Sequence, residues 1–330
     1  MADNVNTGVP ASWLRRAPLV LAMLFTWFGA AHAADYALLI GVADYPNLPR
    51  RLWLQGPIND VGLVRGALLE KGFAAEHIQT LTSRAGPTVE PTRHNIVRAF
   101  AAMRNRVQPG DRVFFYLAGH GSQQPQPLEH PGRPTEADGL DEVFLPADVR
   151  QWDGSGAKAA IPNALLDDEI GEWMDALVDA GATVWGVFDA CHAGGIARGG
   201  RPRGRGISAS DLGLPIAAHA ASSRQKQLGG QETTGGAATA RAFGSARLDG
   251  RSLAFAARSH ELTGEEWLPR GAPLAKARRH GVFTFHFVRA LRAGALTTSE
   301  LQHAVGAGYA AESRMSPVPQ WLGRKESTWP

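Results

Sequence analysis

Cysteine is the scarcest residue in this sequence, because the 330 residues contain only one, Cys191. A single cysteine cannot form a disulfide within the chain, and it has no thiol companion for a cysteine-based metal site. Net charge is also small: charged residues make up 20% of the chain and the formal net charge is +3. So small a charge, without a basic stripe interleaved with aromatic residues, argues against a nucleic-acid-binding protein. No internal repeat is visible, which argues against a solenoid.

The sequence also lacks a comfortable membrane span near its N-terminus. The apolar run at residues 17–30 is shorter than the ~20 residues that a spanning helix needs. A pair of arginines precedes it and the small-residue site Ala31-His32-Ala33 follows. This order is typical of a secretory signal peptide, so we predict a signal peptide over residues 1–33, cleaved near Ala33, and an exported protein, periplasmic or secreted. The alternatives are an uncleaved anchor and a buried helix.

Apolar runs of strand length alternate with helical patterns along the rest of the chain. The predicted strands are residues 36–42, 78–81, 112–117, 142–145, 184–188 and 252–256. The predicted helices are residues 59–71, 92–105, 167–177, 282–291 and 298–311. This alternation predicts an α/β fold with a mostly parallel sheet that is covered by helices on both faces. Asn59 is the expected N-cap of the first helix.

The composition changes after Gly195. Residues 196–250 are rich in Gly, Ala, Ser and Arg and poor in large apolar side chains, so we predict a mobile linker there. The linker would divide the mature chain into a larger region, residues 34–195, and a smaller region, residues 251–330, that completes the sheet.

Two predicted strands end in residues that can carry catalysis. His120 follows one strand, between two glycines, and Cys191 follows another. If the two strands are parallel neighbours, both side chains emerge at the edge where open α/β sheets place their sites. His120 could then take the proton of Cys191 and later protonate a leaving amine, while the N–H groups of Gly121 and Cys191 could hold an oxyanion. An inert buried cysteine and an ordinary glycine-rich turn are the alternatives.

Both strand ends resemble motifs of the metacaspases, in the clan of caspase-like cysteine peptidases. Residues 116–123, YLAGHGSQ, resemble the histidine motif of that family. Residues 187–195, VFDACHAGG, resemble its cysteine motif, usually Asp-x-Cys-His-Ser-Gly, with Ala193 in place of a serine that is not the nucleophile. The resemblance extends from Tyr36 to about Leu291 through further matching stretches: residues 37–42, 56–60, 138–142, 146–148, 167–169 and 280–284. It implies a three-layer α/β/α caspase-like sandwich and a His120–Cys191 dyad that reacts through a thioester acyl-enzyme.

The resemblance also implies cleavage after Arg or Lys. Asp60 matches a residue that helps to build an acidic specificity pocket in the family, and Asp189 lies two residues before Cys191. Two carboxylates in one pocket would favour a guanidinium or an ammonium group. Asp60 could instead be only a first-turn acid that stabilises its helix dipole. The expected partners are therefore proteins or peptides with Arg or Lys at P1, the residue before the cleaved bond; the sequence gives no oligomeric state.

A calcium requirement is common in the metacaspases. Asp148, Asp167 and Asp168 match the acidic cluster of that family. Carboxylate oxygens are ligands that suit Ca²⁺, although Asp167 or Asp168 could simply cap the helix that follows. Calcium is the one candidate cofactor, and no organic cofactor is expected.

The predicted linker carries several basic residues beyond Cys191: Arg198, Arg201, Arg203, Arg205, Arg224 and Lys226. In a zymogen with a preference for basic P1 residues they mark a candidate self-cleavage region, although a solvated loop without that role would have the same composition.

Two other functions stay open, a catalytically weak caspase-like scaffold or binding module and a related Cys-His hydrolase with another substrate. A metal hydrolase is disfavoured, because His120, His192 and Cys191 do not form a recognised ligand spacing.

Overall fold

The computed structural model of the chain describes residues 33–83, 89–126, 139–152, 154, 160–191, 204–214, 248–258 and 261–330. The predicted signal peptide, apart from Ala33, lies outside the described residues, as do His192 and most of the predicted linker. Residues Ala33–Pro330 form one structural unit. None of the helices in the described ranges is long and apolar enough to span a membrane.

Strands and helices alternate through the first half of the chain, as predicted. The strands are β1 (Asp35–Gly41), β2 (Ile78–Thr82), β3 (Arg112–Ala118), β4 (Gly121–Pro125), β5 (Leu140–Phe144), β6 (Leu165–Leu166), β7 (Thr183–Asp189), β8 (Arg251–Phe255), β9 (Glu265–Leu268), β10 (Arg278–Gly281) and β11 (Gln320–Leu322). The helices are α1 (Gly56–Glu70), α2 (Arg93–Arg106), α3 (Asp167–Asp179), α4 (Val282–Arg292) and α5 (Thr298–Ala311).

The main sheet has six strands in the order β11-β8-β7-β3-β1-β2. All of its pairings are parallel except that of β11 with β8 at one edge. The prediction of a mostly parallel sheet is therefore confirmed. Two smaller sheets, β4-β5-β6 and the hairpin β9-β10, have no counterpart in the prediction beyond the strand at 142–145.

Helices pack on both faces of the main sheet. Along β1, Leu38 and Ile40 belong to one buried cluster and Ala37 and Leu39 to another, because successive side chains of a strand point to opposite faces. The first cluster includes buried residues of α2 and α3, namely Ile96, Phe100, Ile170 and Met174. The second includes buried residues of α1, α4 and α5, namely Val61, Leu68, Phe287 and Leu301. This is the predicted α/β/α sandwich.

The register of β3 and β7 decides where the site lies. The two strands are parallel neighbours, and Ala118 pairs with Asp189 at their carboxyl ends. His120 and Cys191 each follow two residues later, so both leave the sheet at the same edge. The predicted adjacency of these two strands is confirmed.

Helix α1 begins earlier than predicted, and Asn59 is not its N-cap. The helix begins at Gly56, with Pro57 in its first turn, where the missing N–H of proline costs nothing. The N–H groups of Gln55 and Gly56 donate to the carboxylate of Glu265, at 3.1 and 2.6 Å. The free N–H groups at the start of α1 are thus satisfied by a carboxylate more than two hundred residues away in the chain. No local sequence pattern could have predicted this contact.

The prediction of a mobile linker over all of residues 196–250 is wrong for residues 204–214. Arg205, Ile207, Leu212 and Leu214 in this stretch are buried. The last three belong to the apolar cluster that also contains residues of α2 and α3. The average composition of the linker concealed these few apolar side chains, which are enough to anchor a short segment.

Candidate active site

His120 is fixed by two groups from the loop between β1 and α1. Its backbone N–H donates to the hydroxyl of Tyr45 at 2.7 Å, and its Nε2 lies 2.5 Å from the carbonyl oxygen of Leu52. Because a carbonyl can only accept, this contact places the ring proton on Nε2 and leaves Nδ1 as an acceptor. Nδ1 is buried and has no hydrogen-bond partner within the described residues. Burial lowers the pKa of His120 to about 4, so the imidazole is neutral at pH 7.

Cys191 is fully buried in this state. Its Sγ accepts a hydrogen bond from the backbone N–H of Thr263 at 2.8 Å and lies 3.4 Å from the carbonyl oxygen of Thr263. Burial raises the pKa of Cys191 to about 12, so the side chain is a thiol and not a thiolate at neutral pH. The two candidate catalytic groups are therefore both uncharged and shielded from solvent.

Two backbone N–H groups beside the dyad converge on one oxygen. Gly121 N–H and Cys191 N–H donate to the carbonyl oxygen of Arg205 at 3.1 and 3.0 Å. A Cβ added at Gly121 would overlap the carbonyl oxygen of Cys191, so the two strand ends approach as closely as glycine permits. Two fixed donors aimed at one carbonyl oxygen are the arrangement that stabilises an oxyanion in acyl transfer.

Asp60 and Asp189 lie together in a buried pocket near these donors. The Asp60 carboxylate accepts from the N–H of Gly281 at 3.0 Å, and its Oδ1 lies 2.9 Å from Nδ1 of His280. Asp189 Oδ2 accepts from the hydroxyl and the N–H of Thr284, at 2.6 and 3.2 Å. Both carboxylates are thus oriented by the segment that runs from β10 into α4.

The guanidinium of Arg205 fills this pocket. Its Nη2 donates to Asp60 Oδ2, and its Nη1 lies 3.0 Å from Asp189 Oδ2. A Cβ at Gly281 would overlap the Asp189 carboxylate and lie 2.7 Å from Arg205 Nη1, so the missing side chain makes room for the guanidinium. Burial disfavours the charge, but Asp189 and Asp60 outweigh it and hold the pKa of Arg205 well above its usual range.

The sequence comparisons give the same assignment as the motifs. Residues 36–198 match the family model described as metacaspase, peptidase C14 domain. This part of the chain belongs to the metacaspase family. Metacaspase-1 of Lodderomyces elongisporus is 32% identical over 170 residues, which are 51% of this chain and 35% of that protein. Metacaspase-1A of Aspergillus oryzae is 33% identical over 187 residues, which are 56% of this chain and 40% of that protein.

The metacaspase domain of this chain thus spans only part of its curated relatives. Metacaspase-1 of Candida albicans, 35% identical over 162 residues, is matched over 33% of its length. A crystal structure of a protein from Geobacter sulfurreducens superimposes with a TM-score of 0.54 at 19% identity, covering 88% of this chain and 92% of that one. This likeness shows a shared fold and nothing more about chemistry.

The predicted calcium ligands are not gathered in this metacaspase domain. Asp148 Oδ1 accepts the N–H of Arg93 at 2.8 Å, at the start of α2. Asp167 and Asp168 are buried in the first turn of α3. Across the described ranges, no three or more His, Cys, Asp or Glu side chains are placed to hold a metal ion. The three carboxylates therefore do not form one metal site within the described ranges, and a calcium requirement stays a prediction from the resemblance.

Sequence reasoning missed Tyr45, Leu52 and Thr263. Leu52 and Thr263 contact His120 and Cys191 through backbone atoms, so no side-chain pattern could have predicted those two contacts. Tyr45 gave a weak signal, as an aromatic residue with a polar tip in the loop that follows a buried strand. The position of Arg205 was missed as well, since a basic residue in a polar linker is usually solvated.

Proposed function

We propose that this metacaspase domain is a cysteine endopeptidase that cleaves peptide bonds after Arg or Lys. The observation that supports the proposal most directly is the position of Arg205. Its guanidinium lies between Asp60 and Asp189, while its carbonyl oxygen receives the N–H groups of Gly121 and Cys191. The placement of this one residue supports both a side-chain pocket and a carbonyl position for a P1 arginine.

In the proposed reaction, Nδ1 of His120 takes the thiol proton of Cys191 as Sγ attacks the P1 carbonyl carbon. The N–H groups of Gly121 and Cys191 stabilise the oxyanion that forms. The imidazolium then donates the proton to the amine that leaves, and a thioester remains on Cys191. Water, deprotonated by His120, hydrolyses the thioester, releases a P1 carboxylate and restores the thiol. Leu52 contributes by holding Nε2–H, which keeps Nδ1 free as the acceptor.

The pocket explains the proposed selectivity. A guanidinium can pair with Asp60 and Asp189 at once through two different nitrogens, and an ammonium can still place one charge between them. A P1 aspartate would bring a third carboxylate beside two that are buried, which is strongly unfavourable in a site of low polarity.

Fluorogenic peptides that differ only at P1, with Arg, Lys or Asp, test this function. We expect cleavage of the Arg and Lys peptides, none of the Asp peptide, and none by Cys191→Ala. Asp60→Asn and Asp189→Asn should each lower kcat/KM for the Arg peptide by at least about tenfold, because a buried charge pair is broken. Cleavage of the Asp peptide alone would refute the pocket assignment, and inactivity of the processed protein on all three peptides would favour the scaffold alternative.

Self-processing belongs to this proposal, because the predicted linker supplies basic residues to an enzyme that would cut after them. Incubation of the wild-type protein beside Cys191→Ala tests it: new termini after Arg or Lys should form in the wild type alone. Equal fragmentation of both proteins would point to a contaminating protease.

Export is also proposed, on the signal-peptide pattern of residues 1–33. N-terminal sequencing of the protein recovered outside the cytoplasm should begin near Ala34. An intact Met1 on the exported protein would contradict cleavage.

Calcium stimulation rests on the family resemblance alone, and no step of the proposed reaction depends on the ion. Peptidase assays in CaCl₂ and in EGTA measure it directly. Equal rates in both solutions would remove calcium from the proposal.

A further inference from the structure

The segment from Gly204 to Ile207 lies across the candidate active site as an extended peptide. On the N-terminal side, the backbone N–H of Arg205 donates to the carbonyl oxygen of Thr263 at 2.9 Å, and Gly204 forms an antiparallel bridge with Gly264. On the C-terminal side, the backbone N–H of Ile207 donates to the carbonyl oxygen of Gly121 at 3.0 Å. Backbone pairing of this kind, with one side chain in a pocket, is how extended peptides bind at strand edges.

We propose that this segment is the enzyme's own substrate, held in place in the uncut precursor, and that the Arg205–Gly206 bond is its self-cleavage site. The inference rests on the proposed function and selects one bond among the basic residues of the linker. Arg205 meets all the requirements at once: a pocket for the side chain, two donors for the carbonyl oxygen, and backbone pairing on both sides. Until the bond is cut, the same contacts close the site to other substrates.

The burial of the site agrees with a closed precursor. Arg205 and Cys191 are 0% exposed and His120 is 2% exposed, so no external peptide can reach the dyad while Arg205 occupies the pocket. The Arg205 carbonyl oxygen accepts from the N–H of Cys191 itself and from the N–H of Gly121, the residue after His120. The bond to be cut is therefore next to both members of the dyad.

The reaction at this bond balances without any further reactant than water. Sγ of Cys191 bonds to the carbonyl carbon of Arg205 as the bond to the nitrogen of Gly206 breaks. The thiol proton passes through His120 to that nitrogen, which becomes a new amino terminus. Water then hydrolyses the thioester, leaving a carboxylate on Arg205 and a free thiol on Cys191.

The two sides of the cut are anchored very differently. After Gly206, the side chains of Ile207, Leu212 and Leu214 are buried in the apolar cluster beneath the sheet, and the hydroxyl of Ser122 donates to the carbonyl of Ile207 at 2.9 Å. Before it, the contacts that Arg205 makes with the described residues are with the site itself, namely the two carboxylates, the carbonyl of Thr263 and the two N–H donors. In the proposed reaction the Gly206 end therefore keeps its apolar anchor after the cut, while the Arg205 end is free to exchange with other substrates.

Full-length protein and four variants test the inference: Cys191→Ala, Arg205→Gln, Arg205→Lys and, as a matched control, Arg203→Gln. Intact-mass analysis and N-terminal sequencing should find a fragment that begins at Gly206 in the wild type and in Arg203→Gln. The fragment should be lost in Cys191→Ala and Arg205→Gln. Arg205→Lys keeps a cation between the carboxylates and should still be cut, at a rate independent of protein concentration because the segment is bound within its own chain.

Labelling of Cys191 with iodoacetamide tests the closure separately. Each unit by which uncovering lowers the pKa of Cys191 increases its thiolate about tenfold, so Cys191 should be alkylated at least about tenfold faster in the cut protein than in uncut protein. An equal rate in both forms would overturn the closure.

The outcomes separate the inference from the function on which it rests. If the protein cleaves Arg peptides but its Arg205–Gly206 bond stays intact, or is cut equally in Arg205→Gln, the inference is overturned and the peptidase stands. If Arg205 only forms a structural ion pair with Asp60 and Asp189, the Arg205–Gly206 bond should stay intact in the wild type and in Arg205→Lys. If neither peptides nor the chain itself are cleaved, the proposed function fails and the inference fails with it.

Discussion

Nε2 of His120 lies 2.5 Å from the carbonyl oxygen of Leu52, so a main-chain atom and not a side chain orients the candidate base. The loop that supplies this carbonyl also supplies Tyr45, whose hydroxyl accepts the N–H of His120 at 2.7 Å. The orientation of the imidazole therefore depends on the loop between β1 and α1 staying in place. Tyr45 is the member of this pair that substitution can test.

Tyr45→Phe should weaken both the fold and the reaction. It leaves the buried N–H of His120 without its acceptor, which costs about 1–3 kcal/mol of the free energy of unfolding. The misplaced imidazole should lower kcat for an Arg peptide with little change in KM. Urea unfolding and steady-state kinetics measure the two effects, and Tyr36→Phe, in β1, is the control. Unchanged stability and kcat would show that the Tyr45 hydroxyl positions nothing.

Gly281→Ala should close the acidic pocket. The backbone of Gly281, with φ of −58°, suits alanine, so the effect comes from space alone. The new Cβ would collide with the Asp189 carboxylate and with any guanidinium beside it. We expect loss of self-cleavage and a large fall in kcat/KM for the Arg peptide.

Gly62→Ala is the matched control for that substitution. Gly62 lies in α1, and a Cβ there meets nothing within 4 Å. Alanine should stabilise the helix by roughly 0.5–1 kcal/mol and leave cleavage unchanged. Equal kinetics for the two alanine variants would remove Gly281 from the pocket wall.

The sequence predicted the parts of this fold that repeat locally. Apolar strands β1, β3 and β7 and the helix patterns of α2 and α5 predicted the sandwich, and the strand ends predicted that His120 and Cys191 leave the sheet at the same edge. The N-cap at Asn59 failed because Glu265, from a distant hairpin, satisfies the start of α1. Arg205 could not be placed, because its burial depends on Asp60 and Asp189 meeting across the sheet edge, which only tertiary structure brings about.

The depressed pKa of His120 should appear in the pH dependence of stability. The folded pKa is about 4 against an ordinary value of 6.5, so between these values the unfolded chain binds a proton that the folded chain does not. The contribution is present above pH 6.5 and is lost as the pH falls towards 4. The free energy of unfolding should therefore be lower at pH 5 than above pH 6.5, by roughly 2 kcal/mol from this group.

Urea unfolding of Cys191→Ala, which stays uncut, measures this loss at pH 8 and pH 5. The double variant Cys191→Ala with His120→Gln should lose roughly 2 kcal/mol less over the same interval, since every other titrating group is shared. The same loss in both proteins would show that His120 titrates normally in the folded state.

Thr284 should tune the charge of the pocket through Asp189. Burial raises the pKa of Asp189, while Arg205 and the N–H and hydroxyl of Thr284 oppose that rise. Thr284→Val removes the hydroxyl at 2.6 Å, so the carboxylate should protonate at higher pH and bind a P1 arginine less well.

KM for the Arg peptide should rise by about tenfold or more in Thr284→Val, because a hydrogen bond to a charged group contributes roughly 1.5–3 kcal/mol. The rise should steepen as the pH falls, and kcat should change little since Thr284 does not touch the dyad. Thr284→Ser keeps the hydroxyl and should restore both KM and its pH profile. A pH-independent rise that serine does not rescue would mean that Thr284 supports only the packing of α4 and not the charge of Asp189.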